Sequence, residues 1–253
     1  MRFMKVIAVL PARLASTRFH EKVLARRTGK YLIQHSWEQA KKAKLTERVI
    51  IAADDEKIKE AAESFGAECV LTDAGHNSGT DRIAEAVADI EVEIVVNVQA
   101  DEPEVEPGNI DLAAKLLLDN PEYRMSTLVC RFDSAEQIAN ANMVKVVVDE
   151  KGRALYFSRC AVPFDRAANG IGSVGNYLRH IGIYGYRKDF LLKYAGMPAS
   201  RLEQSEKLEQ LRALENGFSI LTGEVRHICE GIDTEAQYEA FVERYRKKAQ
   251  NTS

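Results

Sequence analysis

Within the first 120 residues, four short apolar runs alternate with stretches of helical periodicity. The runs are Lys5–Leu10, Arg48–Ala53, Glu68–Thr72 and Ile94–Val98. Between them, Tyr31 to Ala43 sets Leu32, Ile33, Ser36, Trp37, Ala40 and Ala43 on one helical face. Ile58, Ala61, Ala62 and Phe65 do the same ahead of Gly66, a helix stop. Thr80 is placed to cap a helix bearing Ile83, Val87 and Ile90. Ile110, Ala113, Ala114 and Leu117 mark a fourth helix. Strands separated by helices pair in parallel through right-handed crossovers, because an antiparallel neighbour needs only a tight turn. This alternation therefore restricts the chain to the α/β class.

After Asn120-Pro121 the rhythm changes. Met125–Arg131, Val144–Asp149, Ala154–Ser158 and His180–Arg187 are strand-like, and helices are scarce until Asp189. The turn Glu150-Lys151-Gly152-Arg153 joins two of these strands into an antiparallel hairpin. Leu202 to Glu215 reads as one helix ending at Asn216-Gly217. Thr234 to Lys247 is an amphipathic helix through Tyr238, Phe241, Val242 and Tyr245. The expectation is one domain over residues 1–253, with a mixed, mostly parallel sheet and a smaller antiparallel subregion. Its halves divide at residues 1–120 and 121–253.

A chain of 253 residues with 45% hydrophobic content can bury a sizeable core without a metal or disulfide staple. A net charge of −3 gives no global field for nucleic acid or an acidic membrane, so any basic site is local. Cys69, Cys130, Cys160 and Cys229 are far apart and show no zinc-site spacing. They read as reduced, buried thiols of a cytoplasmic protein. No segment reaches the ~18 apolar residues of a membrane span, and the N-terminus lacks a signal-peptide pattern.

In a parallel sheet, ligands bind at the C-terminal ends of the strands. The loop after the first strand carries Arg13, Arg18 and Lys22, three cations suited to a polyphosphate. No glycine lies between Pro11 and Lys22, and neither a dinucleotide fingerprint nor a P-loop is present. Asp101, just beyond the fourth strand, suits a hard cation. Asp233 precedes Thr234 and Gln237, which fit a capping box, so it is either a metal ligand or a charge at a helix N-terminus. Arg159 suits a substrate carboxylate, and His180 is either a substrate contact or a satisfied core histidine. Glu209 and Gln210 flank the buried face of their helix, where they meet either a polyhydroxy ligand or solvent.

Seven segments in this order resemble the 3-deoxy-manno-octulosonate (Kdo) cytidylyltransferase family. They are Leu10-Pro11-Ala12-Arg13 with Ser16-Thr17-Arg18, His76 to Arg82, Asn97-Val98-Gln99, Ala154 to Arg159, Arg179-His180 to Tyr186, Leu208 to Arg212, and Gly231-Ile232-Asp233-Thr234. The resemblance implies a nucleotide-diphospho-sugar transferase (Rossmann-like) fold, usually homodimeric. It also implies Mg²⁺-dependent activation of Kdo with CTP for lipopolysaccharide synthesis. Carried over by position, Ala12, Arg13, Arg18 and Lys22 hold CTP, while Ser78, Gly79 and Arg82 contact its cytosine end. Asp101 and Asp233 are the Mg²⁺ ligands and, with Lys22, the catalytic set. Gln99, Arg159, His180, Tyr184, Glu209 and Gln210 form the sugar-acid pocket. The chain departs from the family where His20-Glu21 replaces Pro-Gly before the loop lysine, where Ala100 replaces glycine, and where Ala53 replaces threonine. These departures leave open a modified Kdo such as an 8-amino sugar acid, another acidic sugar, or a non-catalytic binding paralogue.

Overall fold

The first strand, β1 (Met4–Ala12), is apolar from Val6 to Leu10 because both of its faces are covered, and those five residues are fully buried. It pairs in parallel with β2 (Arg48–Ala53), which pairs in parallel with β3 (Glu68–Leu71). The register sets Val9 against Ile50 and Ala12 against Ala53, so β1 and β2 end level with each other. The computed structural model describes residues 4–16, 18–226 and 231–250. These fall into two compact units, one of residues 4–93, 97–110 and 231–250 and the other of 94–96 and 111–226.

In the first unit the crossovers are α1 (Leu32–Ala40), α2 (Glu56–Ser64) and α3 (Gly79–Ala86). Helix α2 is capped by Asp55 and stops where Gly66 takes a left-handed φ of 78°, the stop expected there. Helix α3 is capped by Ser78 rather than Thr80. The Ser78 hydroxyl accepts from Asp81 N, and the Asp81 carboxylate accepts from Ser78 N, a full capping box. The last helix, α9 (Glu235–Gln250), returns to this unit, where Ile232, Tyr238, Phe241 and Val242 form a core cluster with Leu32 of α1. Its capping box is the one expected: Gln237 N donates to Thr234 Oγ1, and Thr234 N donates to Gln237 Oε1.

Strand β4 (Val92–Asn97) contributes residues to both units, and α4 (Pro107–Asp119) leads from the first into the second. There β5 (Met125–Arg131) pairs antiparallel with β8 (Leu178–Arg187) and parallel with β9 (Ile220–Glu224). The expected hairpin is β6 (Lys145–Val148) against β7 (Ala154–Ser158). The fold is thus mixed α/β, mostly parallel with antiparallel strands in the second half. Two short elements, α5 (Ala135–Ala139) and β9, carry too little periodicity to stand out in the sequence. After α6 (Lys188–Ala195), the expected single helix over 202–215 is two, α7 (Arg201–Glu206) and α8 (Leu211–Glu215). Lys207 breaks it by adopting a left-handed φ of 54° without being glycine.

Cys69 is half-buried and Cys130 buried, but Cys160 is exposed, contrary to expectation; Cys229 lies outside the described residues. Burial pushes the Cys69 thiol up to about 12. Among the described residues, no helix is long and apolar enough to cross a membrane.

Candidate active site

The first unit gathers its charged groups at the ends of β1 and β2. Ala12 is buried at the end of β1, and the exposed Arg13 follows, pairing with no carboxylate among the described residues. The next residue, Leu14, donates its N–H to Asp54 Oδ1 at 2.8 Å. Asp54 Oδ2 lies 3.6 Å from Arg82 Nη2, and the buried Arg82 also donates to Thr72 Oγ1 (2.6 Å) and to the Asp73 carbonyl (3.3 Å). Asp54 therefore fixes both the loop after β1 and the guanidinium of α3, a role that no local pattern in the sequence announces. Gly79 opens α3 against the Pro11 ring, where a Cβ would lie 3.2 Å from Pro11 Cγ. Ser78 and Gly79 thus bring a helix N-terminus close to the loop.

Lys22 sits in a one-turn helix (Lys22–Leu24), its side chain 13% exposed. Its ammonium donates to Asp101 Oδ2 (2.6 Å), the Ile232 carbonyl (2.8 Å) and Asp233 Oδ1 (3.0 Å). Arg18 Nη2 pairs with the other oxygen of Asp233 at 3.0 Å. Ile232 N donates to the Asp101 carbonyl, which links the two aspartate segments through their backbones. Two carboxylates and a carbonyl, all hard oxygen donors, thus converge on one cation. That donor set also fits Mg²⁺, which takes one or two carboxylates and fills its remaining positions with substrate oxygens and water.

The departures from the family pattern have local explanations. Glu21 holds a left-handed φ of 49°, the conformation that glycine adopts without cost, and its carboxylate is taken by Lys57 at 2.9 Å. Ala100 is not among the residues with positive φ, so its backbone does not require glycine; it is buried, and its carbonyl accepts from Ser36. Beside Ala53, the Thr72 hydroxyl donates to the Ala53 carbonyl at 2.9 Å.

The second unit holds five of the six residues assigned to the sugar acid; Gln99, half-buried beyond β4, belongs to the first. Arg159 follows β7 and donates to three carbonyls: Glu206 (2.6 Å), Ala141 (3.0 Å) and Lys207 (3.3 Å). A guanidinium has five N–H donors, so two remain, and no carboxylate of the described residues forms an ion pair with it. Glu206, unremarkable in the sequence, accepts from Ser158 Oγ and Arg159 N. Lys145 is fully buried and donates to the carbonyls of Asn140 (3.0 Å), Met143 (2.8 Å) and Arg159 (2.5 Å).

On β8, His180 Nε2 lies 3.0 Å from Thr127 Oγ1. That hydroxyl is also 2.9 Å from the Ile183 carbonyl and 3.1 Å from that of Ile181. Thr127 has one proton, and the carbonyls can only accept it, so we assign His180 as the donor at Nε2 and an acceptor at Nδ1. Burial lowers its pKa to about 3, which keeps the ring neutral. Burial and the Glu209 carboxylate raise the pKa of Tyr184, keeping it a phenol. Glu209 and Gln210 lie in the connection from α7 to α8, and Tyr194 Oη pins the Glu209 carbonyl at 2.7 Å. Gln210 is 3% exposed, yet its Nε2 has no hydrogen-bond partner among the described residues. A buried amide donor without a partner is costly unless a ligand satisfies it.

The fold and the relatives place the protein among the nucleotidyltransferases: residues 7–224 match the cytidylyltransferase family. The 3-deoxy-manno-octulosonate cytidylyltransferase of Solibacter usitatus (strain Ellin6076) is 46% identical over 230 residues, 91% of this chain and 90% of that protein. That of Geobacter sulfurreducens (strain ATCC 51573 / DSM 12127 / PCA) is 44% identical over 248 residues, 95% of this chain and 99% of that one. A solved structure of CMP:2-keto-3-deoxy-manno-octonic acid synthetase complexed with CTP superposes with a TM-score of 0.91 at 37% identity, covering 96% of this chain and 99% of that one. The chain belongs to the 3-deoxy-manno-octulosonate cytidylyltransferase family.

Proposed function

We propose that this protein transfers the cytidylyl group of CTP to Kdo, giving CMP-Kdo and pyrophosphate for lipopolysaccharide synthesis. The observation that carries this reading is the convergence of Asp101, Asp233 and the Ile232 carbonyl on one cation, beside a loop of arginines. In the reaction the anomeric oxygen of the sugar acid bonds to the α-phosphorus, the bond from that phosphorus to the oxygen bridging to the β-phosphate breaks, pyrophosphate leaves with that electron pair, and the hydroxyl proton passes to solvent water. No covalent enzyme intermediate is needed, so the protein contributes positioning and charge.

Arg13, Arg18 and Lys22 hold the phosphates; Ala12, Ser78, Gly79 and Arg82 receive the rest of the nucleotide. Asp101 and Asp233 would hold Mg²⁺, which when bound screens phosphate charge and lowers the pKa of a coordinated hydroxyl. The two open donors of Arg159 meet the sugar carboxylate as a fork. Neutral His180 accepts a sugar hydroxyl at Nδ1, and Gln210 donates to a sugar oxygen. Gln99, Tyr184 and Glu209 complete the set. We further propose that the protein works in the cytoplasm as a homodimer.

The test is pyrophosphate release from CTP and Mg²⁺ with Kdo, with an 8-amino analogue and with another acidic sugar. Release with Kdo is expected. Release only with an analogue would reassign the substrate, and CTP binding without release from any of them would make the protein a non-catalytic paralogue.

A further inference from the structure

The ammonium of Lys22 sits among the oxygens to which the proposed function assigns the divalent cation. All three of its protons are spent on the oxygens assigned to the cation: one from Asp101, one from Asp233 and the Ile232 carbonyl. Among the described residues, the other cation paired with these aspartates is Arg18, which takes the second oxygen of Asp233 and is 65% exposed. A unit charge and a double charge cannot share three oxygens, since at about 3 Å they repel strongly even with much screening. The one-turn helix Lys22–Leu24 fixes the backbone of Lys22, while its four-carbon side chain has the rotatable bonds needed to re-aim the ammonium.

We propose that Lys22 is a resident counter-cation that makes divalent-cation binding conditional on the nucleotide. Without nucleotide, the metal must expel the ammonium from three charge-assisted hydrogen bonds into water. With nucleotide bound, the phosphates offer the ammonium a new partner, and the cradle opens to the metal. The linkage is reciprocal: whatever the nucleotide adds to metal affinity, the metal adds to nucleotide affinity. Lys22 would thereby keep the two aspartates paired and oriented between turnovers, while preventing the metal from binding in the absence of its substrate. This inference rests on the reading that Asp101 and Asp233 hold the cation.

Binding of Mn²⁺ alone, followed through the electron paramagnetic resonance signal of the free ion, tests it without sugar acid or turnover. Lys22→Met is expected to bind Mn²⁺ about tenfold tighter than the wild type, and Lys22→Met combined with Asp101→Asn to lose that gain. Lys22→Arg keeps the charge and is expected to bind as weakly as the wild type. Added CTP is expected to tighten Mn²⁺ binding more in the wild type than in Lys22→Met. If folded Lys22→Met binds Mn²⁺ no tighter than the wild type, the proposal is wrong. Should that variant not fold, the wild type decides: the ¹⁵N signal of the Lys22 ammonium, assigned by its absence in Lys22→Arg, is expected to shift when Mg²⁺ and CTP are added together. A signal unmoved at saturation overturns the proposal. A wild type that makes no CMP-sugar would defeat the proposed function while leaving these outcomes readable.

Discussion

One pair of cations in each unit is held in the opposite way to the other. In the first, Lys22 and Arg18 are matched to carboxylates, and Asp233 is nearly half exposed. In the second, Lys145 and Arg159 are matched to six backbone carbonyls and form no ion pair among the described residues. Charges paired with charges can be exchanged for other ions without rebuilding the chain. Charges gripped by carbonyls cannot, because each carbonyl belongs to a fixed backbone segment. Under the proposed function the first arrangement would suit a site that takes up and releases a metal nucleotide, and the second a site that recognises one sugar acid, with the positive charge of Arg159 left for the ligand.

The sharpest way to break this contrast is Asp101→Asn or Asp233→Asn. Each is expected to lower the turnover rate by ~10³-fold or more, while the thermal midpoint moves by only a few degrees. If Asp233 serves only its helix terminus, activity would persist and stability would fall by about 1 kcal/mol. Lys145→Met should behave the opposite way. It strands three carbonyls, so urea unfolding is expected to show a loss of about 3 kcal/mol, accompanied by a raised KM for the sugar acid. A silent Lys145→Met would show that the carbonyl cage is not structural.

Acid sharpens the comparison with one histidine from each unit. His35 is buried, bonded through Nε2 to Thr28 and set edge-on to Phe241 and Tyr245. Burial lowers its pKa to about 4, partly offset by Glu38. His180 is lowered to about 3. In both cases the unfolded chain binds the proton more readily, so stability rises with pH through the window between the folded and the ordinary value. For His35, falling from pH 6.5 to 4 costs about 3 kcal/mol. His35→Phe is expected to flatten the acid limb of a stability–pH curve down to about pH 4, and His180→Phe down to about pH 3. The smallest effect belongs to Glu21→Gly, which relieves a left-handed non-glycine residue. It should gain about 1 kcal/mol, read as a higher urea midpoint.

Much of the fold was legible because the parallel strands are covered on both faces and therefore appear as unbroken apolar runs. Where the structure differs, the cause is local. Lys207 ends a helix with no glycine to mark it, and α5 and β9 are too short to show a period. Of the candidate site, the cations after β1 and the aspartate after β4 could be read from position. The pairing of Asp101 with Asp233 came only through family resemblance, since no local pattern links them. The Ile232 carbonyl is backbone and leaves no trace in residue identity. Glu206 and Asp54 act on groups far along the chain, and Lys57, which neutralises Glu21, is 36 positions away from it.

The bond from Lys22 to the Ile232 carbonyl spans 210 positions. Closing so long a loop is among the slowest contacts a chain can make. During synthesis, Lys22 and Asp101 emerge from the ribosome long before Ile232 and Asp233. The segment that delivers the second aspartate is also the one that packs Tyr238 and Phe241 against Leu32. The three bonds of Lys22 are therefore completed together with a piece of core supplied late in the chain, and a chain stopped short of it carries the arginines without Asp233.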